Sequence, residues 1–461
     1  MTTSALRINN DGDLIISWTV LSIILLFIAG GVTFLIAGKL GLAVGLMAIP
    51  VVIAIISYPK AAIYLYIFSL FIYLYPATSL HLLFIDIVSL LFLASFAIDF
   101  LVRAKGSVMI PSVIRYGIFL LGALIFVTLF SSHPEYAYSP ILRVALQLAI
   151  IIAIYNLISG NDVGNLLKFY FWLMVFHSIY NFGSFIVLKG EYRIFGFPGV
   201  YYDDLAMLAF PIGLAYFIWS GSRKDSVLYG LGTVMVSFGL LATQSRGPSL
   251  TVVWVGAFIL IYSWIKAGRE ENNHVRKRLK MILWGIVPVL IVLVGFAGVF
   301  RFALERFQGL SDIHSGTIWY RFSLWRASLL AFMNDPLTGI GPGCFRYIEN
   351  ILPILRFDEA QLYVQGLSAH NMFLHYLAES GLIGAAALVA FYSRNFLVSK
   401  RLVEHNRSSL PTSLTVALFG IGLMLLGTIF YMDGWGWGQN AFAAPFFFAL
   451  TARAANHRIN G

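Results

Sequence analysis

The chain is a succession of apolar runs of roughly 17 to 25 residues divided by short polar turns, which is the length a helix needs to cross a bilayer. Of its 461 residues 59% are hydrophobic and 11% charged, against about a quarter charged in an ordinary soluble domain. The fold class that follows is an all-α polytopic membrane protein of about 12–14 transmembrane helices. The runs fall at 14–37, 40–57, 61–76, 82–102, 113–130, 141–158, 166–188, 204–219, 226–243, 247–265, 281–300, 371–393, 412–430 and 439–452. The first has only Arg7 ahead of it and lacks a small-residue cleavage pattern, so it reads as a retained helix. With no internal repeat and no linker, the whole of 1–461 reads as one membrane domain.

Lysine and arginine in short loops favour the cytoplasm and so give an orientation. Arg103 and Lys105, Arg223 and Lys224, the basic run from Lys266 to Lys280, and Arg394, Lys400, Arg401 and Arg407 all fall on one side. That side is expected to be cytoplasmic, with both termini. The opposite side receives 131–140, which has no lysine or arginine, together with 189–203, the turn at 244–247, the long loop 301–370 and the turn at 431–440. The net charge of +10 is dispersed among the inside loops, and without a soluble basic domain it does not point to nucleic acid. The single cysteine, Cys344, excludes an internal disulfide and a cysteine metal site.

The extracytoplasmic loop 301–370 holds six arginines (Arg301, Arg306, Arg321, Arg326, Arg346 and Arg356) and no lysine. Arginine outside runs against the usual bias. Its planar fork binds phosphate or carboxylate bidentately where lysine offers a point charge. The plainer reading pairs these cations with the loop's own acids, Glu305, Asp312, Asp335, Glu349, Asp358 and Glu359. Over 318–333, aromatic and aliphatic residues alternate with arginine and serine at helical spacing, which predicts a helix along the membrane interface. Arg321 and Trp325, four apart, share a face of it. Asp335-Pro-Leu-Thr-Gly-Ile-Gly-Pro-Gly343 then stops that helix; its glycines lack the pattern of a nucleotide-binding loop.

At the loop's end, Ser368 is placed to cap a helix beginning near His370, which puts an imidazole in the first turn at the water boundary, able to accept a proton at neutral pH. Asn371, His375 and Glu379 follow at four-residue intervals as a polar stripe. Polar groups at such depth face a cavity or a partner, and Glu379 reads best as a structural hydrogen-bonding residue. The nine histidines are scattered, no His-x-x-x-His occurs, neither Asp203-Asp204 nor Asp433 forms an Asp-x-Asp pair, and no serine elbow is present, so neither a catalytic metal nor a serine nucleophile is expected.

Ser245-Arg246-Gly247, Arg321 with Trp325, Asp335-Pro-Leu-x-Gly-x-Gly341-Pro-Gly, and Ala369-His370-Asn371 through Glu379-x-Gly381-Leu-Ile-Gly384 occur in this order. In them the chain resembles the bacterial O-antigen ligase and O-antigen polymerase superfamily. Arg193-Ile-Phe-Gly-Phe lies where such proteins carry another outside arginine, whereas Asp203-Asp204 departs from the asparagine often found after it. The resemblance implies a C-type glycosyltransferase in the bacterial inner membrane. Such an enzyme takes a glycan from undecaprenyl diphosphate at the periplasmic face and passes it to a glycan or lipid A-core acceptor, without cofactor, nucleotide sugar or metal. His370 would be the base, Arg246 and Arg321 the diphosphate ligands, and Asn371, Trp325, Arg193 and Arg326 further substrate contacts. A chain-length regulator protein is an implied partner. A flippase or transporter of lipid-linked glycans is the rival reading; transporters, however, place charges near the midplane of repeated halves. Ligase and polymerase need the same residues, and only family analogy leans toward the polymerase.

Overall fold

The computed structural model describes residues 6–8, 14–16, 49, 52–53, 58–72, 84–103, 107–187, 202–243, 245–286, 316–348, 368–404, 410–430 and 440–456, with backbone alone at 6–8, 14–16, 84, 102–103, 246, 286, 316–319 and 440–442. Helices account for nearly all of this, and the chain is an all-α polytopic membrane protein. The helices are α1 (Pro59–Ser69), α2 (Phe84–Arg103), α3 (Ser112–Thr128), α4 (Tyr138–Leu157), α5 (Gly160–Val187), α6 (Tyr202–Trp219) and α7 (Arg223–Ala242). They continue as α8 (Arg246–Arg269), α9 (Asn273–Met281), α10 (Gly316–Asn334), α11 (Met372–Glu404), α12 (Thr412–Thr428) and α13 (Asn440–Asn456).

The chain forms two compact units, one of 1–66 with 87–107 and one of 67–86 with 108–461. The described part of the first unit includes a short antiparallel hairpin in which β1 (Leu6–Ile8) pairs with β2 (Leu14–Ile16), Arg7 opposite Ile15. That hairpin corrects the expected start of the first helix at residue 14: Leu-Ile-Ile is rich in β-branched residues and sits in a ladder. The rest of the expected spans at 14–37 and 40–57 lies almost wholly outside the described residues.

In the second unit, Pro134–Leu157, Gly160–Val187, Arg223–Ala242, Gly247–Arg269 and Met372–Glu404 are long and apolar enough to cross a membrane, and α3 and α12 are shorter apolar helices. Two helices form its centre. In α6 every residue from Leu205 to Ala209 is fully buried, and α12 is buried on most sides, as expected of helices apolar all round. They pack on each other, and α7, α8 and α5 close around α6. Tyr170 of α5 donates to Leu205 O at 2.9 Å, and Ser178 and Tyr202 share a 2.6 Å hydrogen bond, so polar side chains join these helices where neither water nor lipid would satisfy them. A second group, α3, α10, α12 and α13, surrounds α11.

Two other expectations change. The run read as 281–300 begins as the end of α9 followed by a π-helical turn, Ile282–Ile286. Arg394, Lys400 and Arg401, read as loop residues, lie within α11, which runs on to Glu404, where Lys400 and Glu404 pair at 3.4 Å across one turn.

Candidate functional site

The site grows from a break in α11. Its 33 residues would extend about 50 Å at ~1.5 Å per residue, well beyond the ~30 Å hydrocarbon core. The helix is interrupted at Gly381, whose φ of 58° and ψ of −159° lie outside the helical region. A break leaves backbone groups without helical partners, each worth several kcal/mol in an apolar medium. The Asp335–Gly343 turn supplies them. Ile340 N–H donates to Ala378 O at 3.0 Å and Gly341 N–H to Glu379 O at 2.9 Å. In return, Leu382 N–H donates to Pro336 O at 2.9 Å and Ile383 N–H to Leu337 O at 3.4 Å. Two glycines make the approach feasible: a Cβ on Gly381 would strike the Leu337 carbonyl, and one on Gly339 would strike the Glu379–Ser380 peptide. Both residues also have positive φ.

Below this docked turn, Glu379 holds the next segment. It is 7% exposed; its Oε1 accepts from Phe345 N–H at 3.0 Å and its Oε2 lies 3.4 Å from His375 Nε2. Cys344 is fully buried among Leu324, Ala327, Ala331, Phe345, Ile348, Ala369 and Ala378, a small core joining α10, the turn and α11. Burial pushes its thiol up to about 12, so it packs as a small apolar side chain rather than acting as a nucleophile.

At the top of α11, the cap is Asn371 rather than Ser368: its Oδ1 accepts from Leu374 N–H at 3.0 Å. The same amide donates from Nδ2 to Phe430 O at 2.9 Å, and Phe373 N–H donates to Ile429 O at 2.9 Å, tying the start of α11 to the end of α12. Asn371 wins over Ser368 because it can both cap and bridge. The consequence falls on His370, which precedes the cap instead of occupying the first turn. Its backbone is left-handed, φ 48°, a conformation costing roughly 1–3 kcal/mol for a residue with a side chain and one that clusters at functional sites. The imidazole is half-buried, its centre 5.9 Å from the Tyr320 ring of α10.

Helix α10, expected over 318–333, buries Ser323, Leu324, Ala327, Ser328 and Ala331 against α11. Arg321 is exposed at one edge of that stripe, next in sequence to the Tyr320 that meets His370, and Trp325 lies one turn on along the same flank. The indole Nε1 of Trp325 is buried and has no hydrogen-bond partner among the described residues, while the ring meets Phe322 edge-on at 5.5 Å. Arg326 is also exposed, but five residues carry it about 140° around the helix. The structure therefore brings His370 to Tyr320 of α10 and separates Arg321 and Trp325, on one flank of that helix, from Arg326 on another.

Arg246 begins α8, following Ser245 at the N-cap; only its backbone is described. There the helix presents its positive end. Arg193 lies outside the described residues. Among the described residues, no three His, Cys, Asp or Glu side chains converge as metal ligands would.

The segment 131–137 carries site residues that the sequence did not single out. Ser131 Oγ donates to Ile340 O at 3.3 Å and accepts from His133 N–H at 3.1 Å, while the Cys344 thiol points to His133 O at 3.8 Å. This loop is thereby bound to the docked turn, 209 residues away in sequence. The available signal was a pair of titratable residues, His133 and Glu135, in an otherwise uncharged short connection.

A broken helix, a docked glycine turn and a half-buried histidine against helix α10 thus meet on one polytopic membrane scaffold. Residues 231–389 match the family described as O-antigen ligase. The match spans every motif from Ser245 to Gly384 and places this stretch in the O-antigen ligase and polymerase superfamily, supporting a glycosyl-transferring enzyme. No curated protein matches the chain.

Proposed function

We propose that the protein transfers a glycan from undecaprenyl diphosphate to a sugar hydroxyl at the outer, periplasmic face of the bacterial inner membrane. The observation that carries this reading is the His370 imidazole, held in a left-handed turn by the Asn371 cap and set beside the helix bearing Arg321. His370 removes the proton from the attacking hydroxyl of a glycan or lipid A-core acceptor. The oxygen attacks the anomeric carbon, the bond to the diphosphate breaks, and the configuration inverts.

Arg321 and Arg246 neutralise the charge that develops on the leaving diphosphate. Arg246 does so from a helix N-terminus, where guanidinium and helix dipole act together on an anion. Two guanidinium groups make the diphosphate a sufficient leaving group without a divalent cation, so the reaction needs neither metal nor cofactor. The buried indole N–H of Trp325 awaits an acceptor oxygen, which a substrate hydroxyl or phosphate supplies. Asn371 acts by fixing His370, with Arg193 and Arg326 as outer phosphate contacts. The positive-inside pattern supports cytoplasmic termini, and a chain-length regulator protein is a partner that the superfamily suggests.

The test is the length distribution of undecaprenyl-linked glycans in cells lacking the protein, complemented with wild type or His370→Ala. Single repeat units accumulating in the deletion and in His370→Ala identify a polymerase; long carrier-bound chains identify a ligase. An unchanged carrier-linked pool would remove glycosyl transfer as the function and favour transport.

A further inference from the structure

Three aromatic rings stand face to face where the 131–137 segment meets the docked turn. His133 stacks on Tyr136 at 5.6 Å and 26°, and Tyr136 on Tyr347 at 4.2 Å and 20°. The column is held at its middle ring, since Tyr136 packs against the same small core as Ala369, the residue before His370. Its outer parts are open: Tyr347 is 42% exposed, and the His133 and Glu135 side chains are 40% and 59% exposed. Glu135 is oriented by a 3.1 Å pair with His133 Nδ1.

These features select a class of ligand. Aromatic anchors of a membrane interface act singly, each ring spanning apolar and polar layers; a stacked column with a carboxylate at its side has another geometry. At the His133 end an anion is disfavoured, because 131–140 holds no lysine or arginine and because the exposed carboxylate of Glu135 adds a negative charge beside the rings. A pyranose offers both surfaces needed: a flat face of C–H bonds that lies on an aromatic ring, and a rim of hydroxyls that donate to carboxylate or imidazole. We propose that the His133–Tyr136–Tyr347 column with Glu135 is a glycan-binding subsite for the acceptor, one sugar lying on Tyr347 and another reaching the His133–Glu135 pair. The column is two ring spacings long, so it takes an oligosaccharide rather than a monosaccharide. Calling the bound glycan the acceptor rests on the transfer reading above; the binding itself does not.

The test uses the full-length protein in detergent and, as probe, oligosaccharides released by mild acid from the envelope glycolipids of host cells lacking it. Binding is followed by saturation-transfer NMR. Tyr347→Phe should bind as wild type does, whereas Tyr347→Ala should lose about tenfold in affinity. Glu135→Gln, a change at an exposed side chain that leaves the fold intact, should lose about threefold. Absence of binding by wild type, or equal binding by Tyr347→Ala, overturns the subsite; if Tyr347→Ala does not fold, unchanged binding by Glu135→Gln does so instead. Failure of the transfer reading shows separately, as transfer retained by His370→Ala while these binding results stand.

Discussion

Helices α11 and α12 pack side by side and solve the same problem in opposite ways. Helix α12 is 17 residues without a charged side chain, buried on most sides, and runs without a break. Helix α11 carries His375, Glu379, Arg394 and Lys400, breaks at Gly381, and draws its missing backbone partners from a turn about forty residues upstream. An apolar helix needs only its own backbone and lipid or protein around it. A polar one must import partners, and the segment that supplies them becomes the wall of a site. Catalytic candidates in this chain therefore gather along the helix whose hydrogen bonds are made by something else.

That contrast can be broken at several points. The largest effect is expected for His370→Ala, which should lower transfer by roughly 10²–10⁴-fold, the range for losing a general base, while far-UV circular dichroism and expression stay unchanged. Gly381→Val should cost roughly 1–3 kcal/mol or more, because a side chain is strained at this φ and meets the Leu337 carbonyl; a thermal melt in detergent equal to wild type would show that the docked turn contributes little. Arg321→Lys keeps its charge but loses the fork, and should reduce transfer by about tenfold or more, against about threefold or less for Arg326→Lys on the other flank. Equal effects of the two substitutions would mean that helix face does not decide which arginine meets the substrate. The smallest stability change belongs to Asn371→Ala, about 1 kcal/mol for a lost cap, measured by denaturation. Its transfer should fall further than that loss accounts for, since His370 would no longer be held in its turn.

Much of the helical framework was legible in the sequence. Helices 82–102, 113–130, 204–219 and 412–430 were found to within a few residues because lipid and protein cores both select long apolar runs, and α10 because its apolar residues alternate with arginine and serine at helical spacing. The motifs from Ser245 to Gly384 also pointed to the family whose model matches residues 231–389. What stayed hidden depends on distant contacts. Gly381 sits in a stretch whose local pattern continues as helix, and only the docked 336–341 turn reveals the break. Ser368 and Asn371 are both good caps three residues apart, and the choice is made by Phe430, 59 residues away. The 131–137 loop joins the site through Ser131 and Tyr136, and no local pattern announces a partner that far along the chain. The N-terminal hairpin was missed because Leu14–Ile16 reads equally well as the start of an apolar helix.

The most direct test of the account reconstitutes the purified protein in liposomes with a radiolabelled undecaprenyl-diphosphate-linked repeat unit and follows label passing to an acceptor glycan together with release of the diphosphate carrier. Wild type should yield both in equal amounts without added metal, and His370→Ala should yield neither while remaining folded. Transfer by His370→Ala at a rate near that of wild type would contradict the claim that this imidazole, fixed by the capped start of the broken helix, is the base of the reaction.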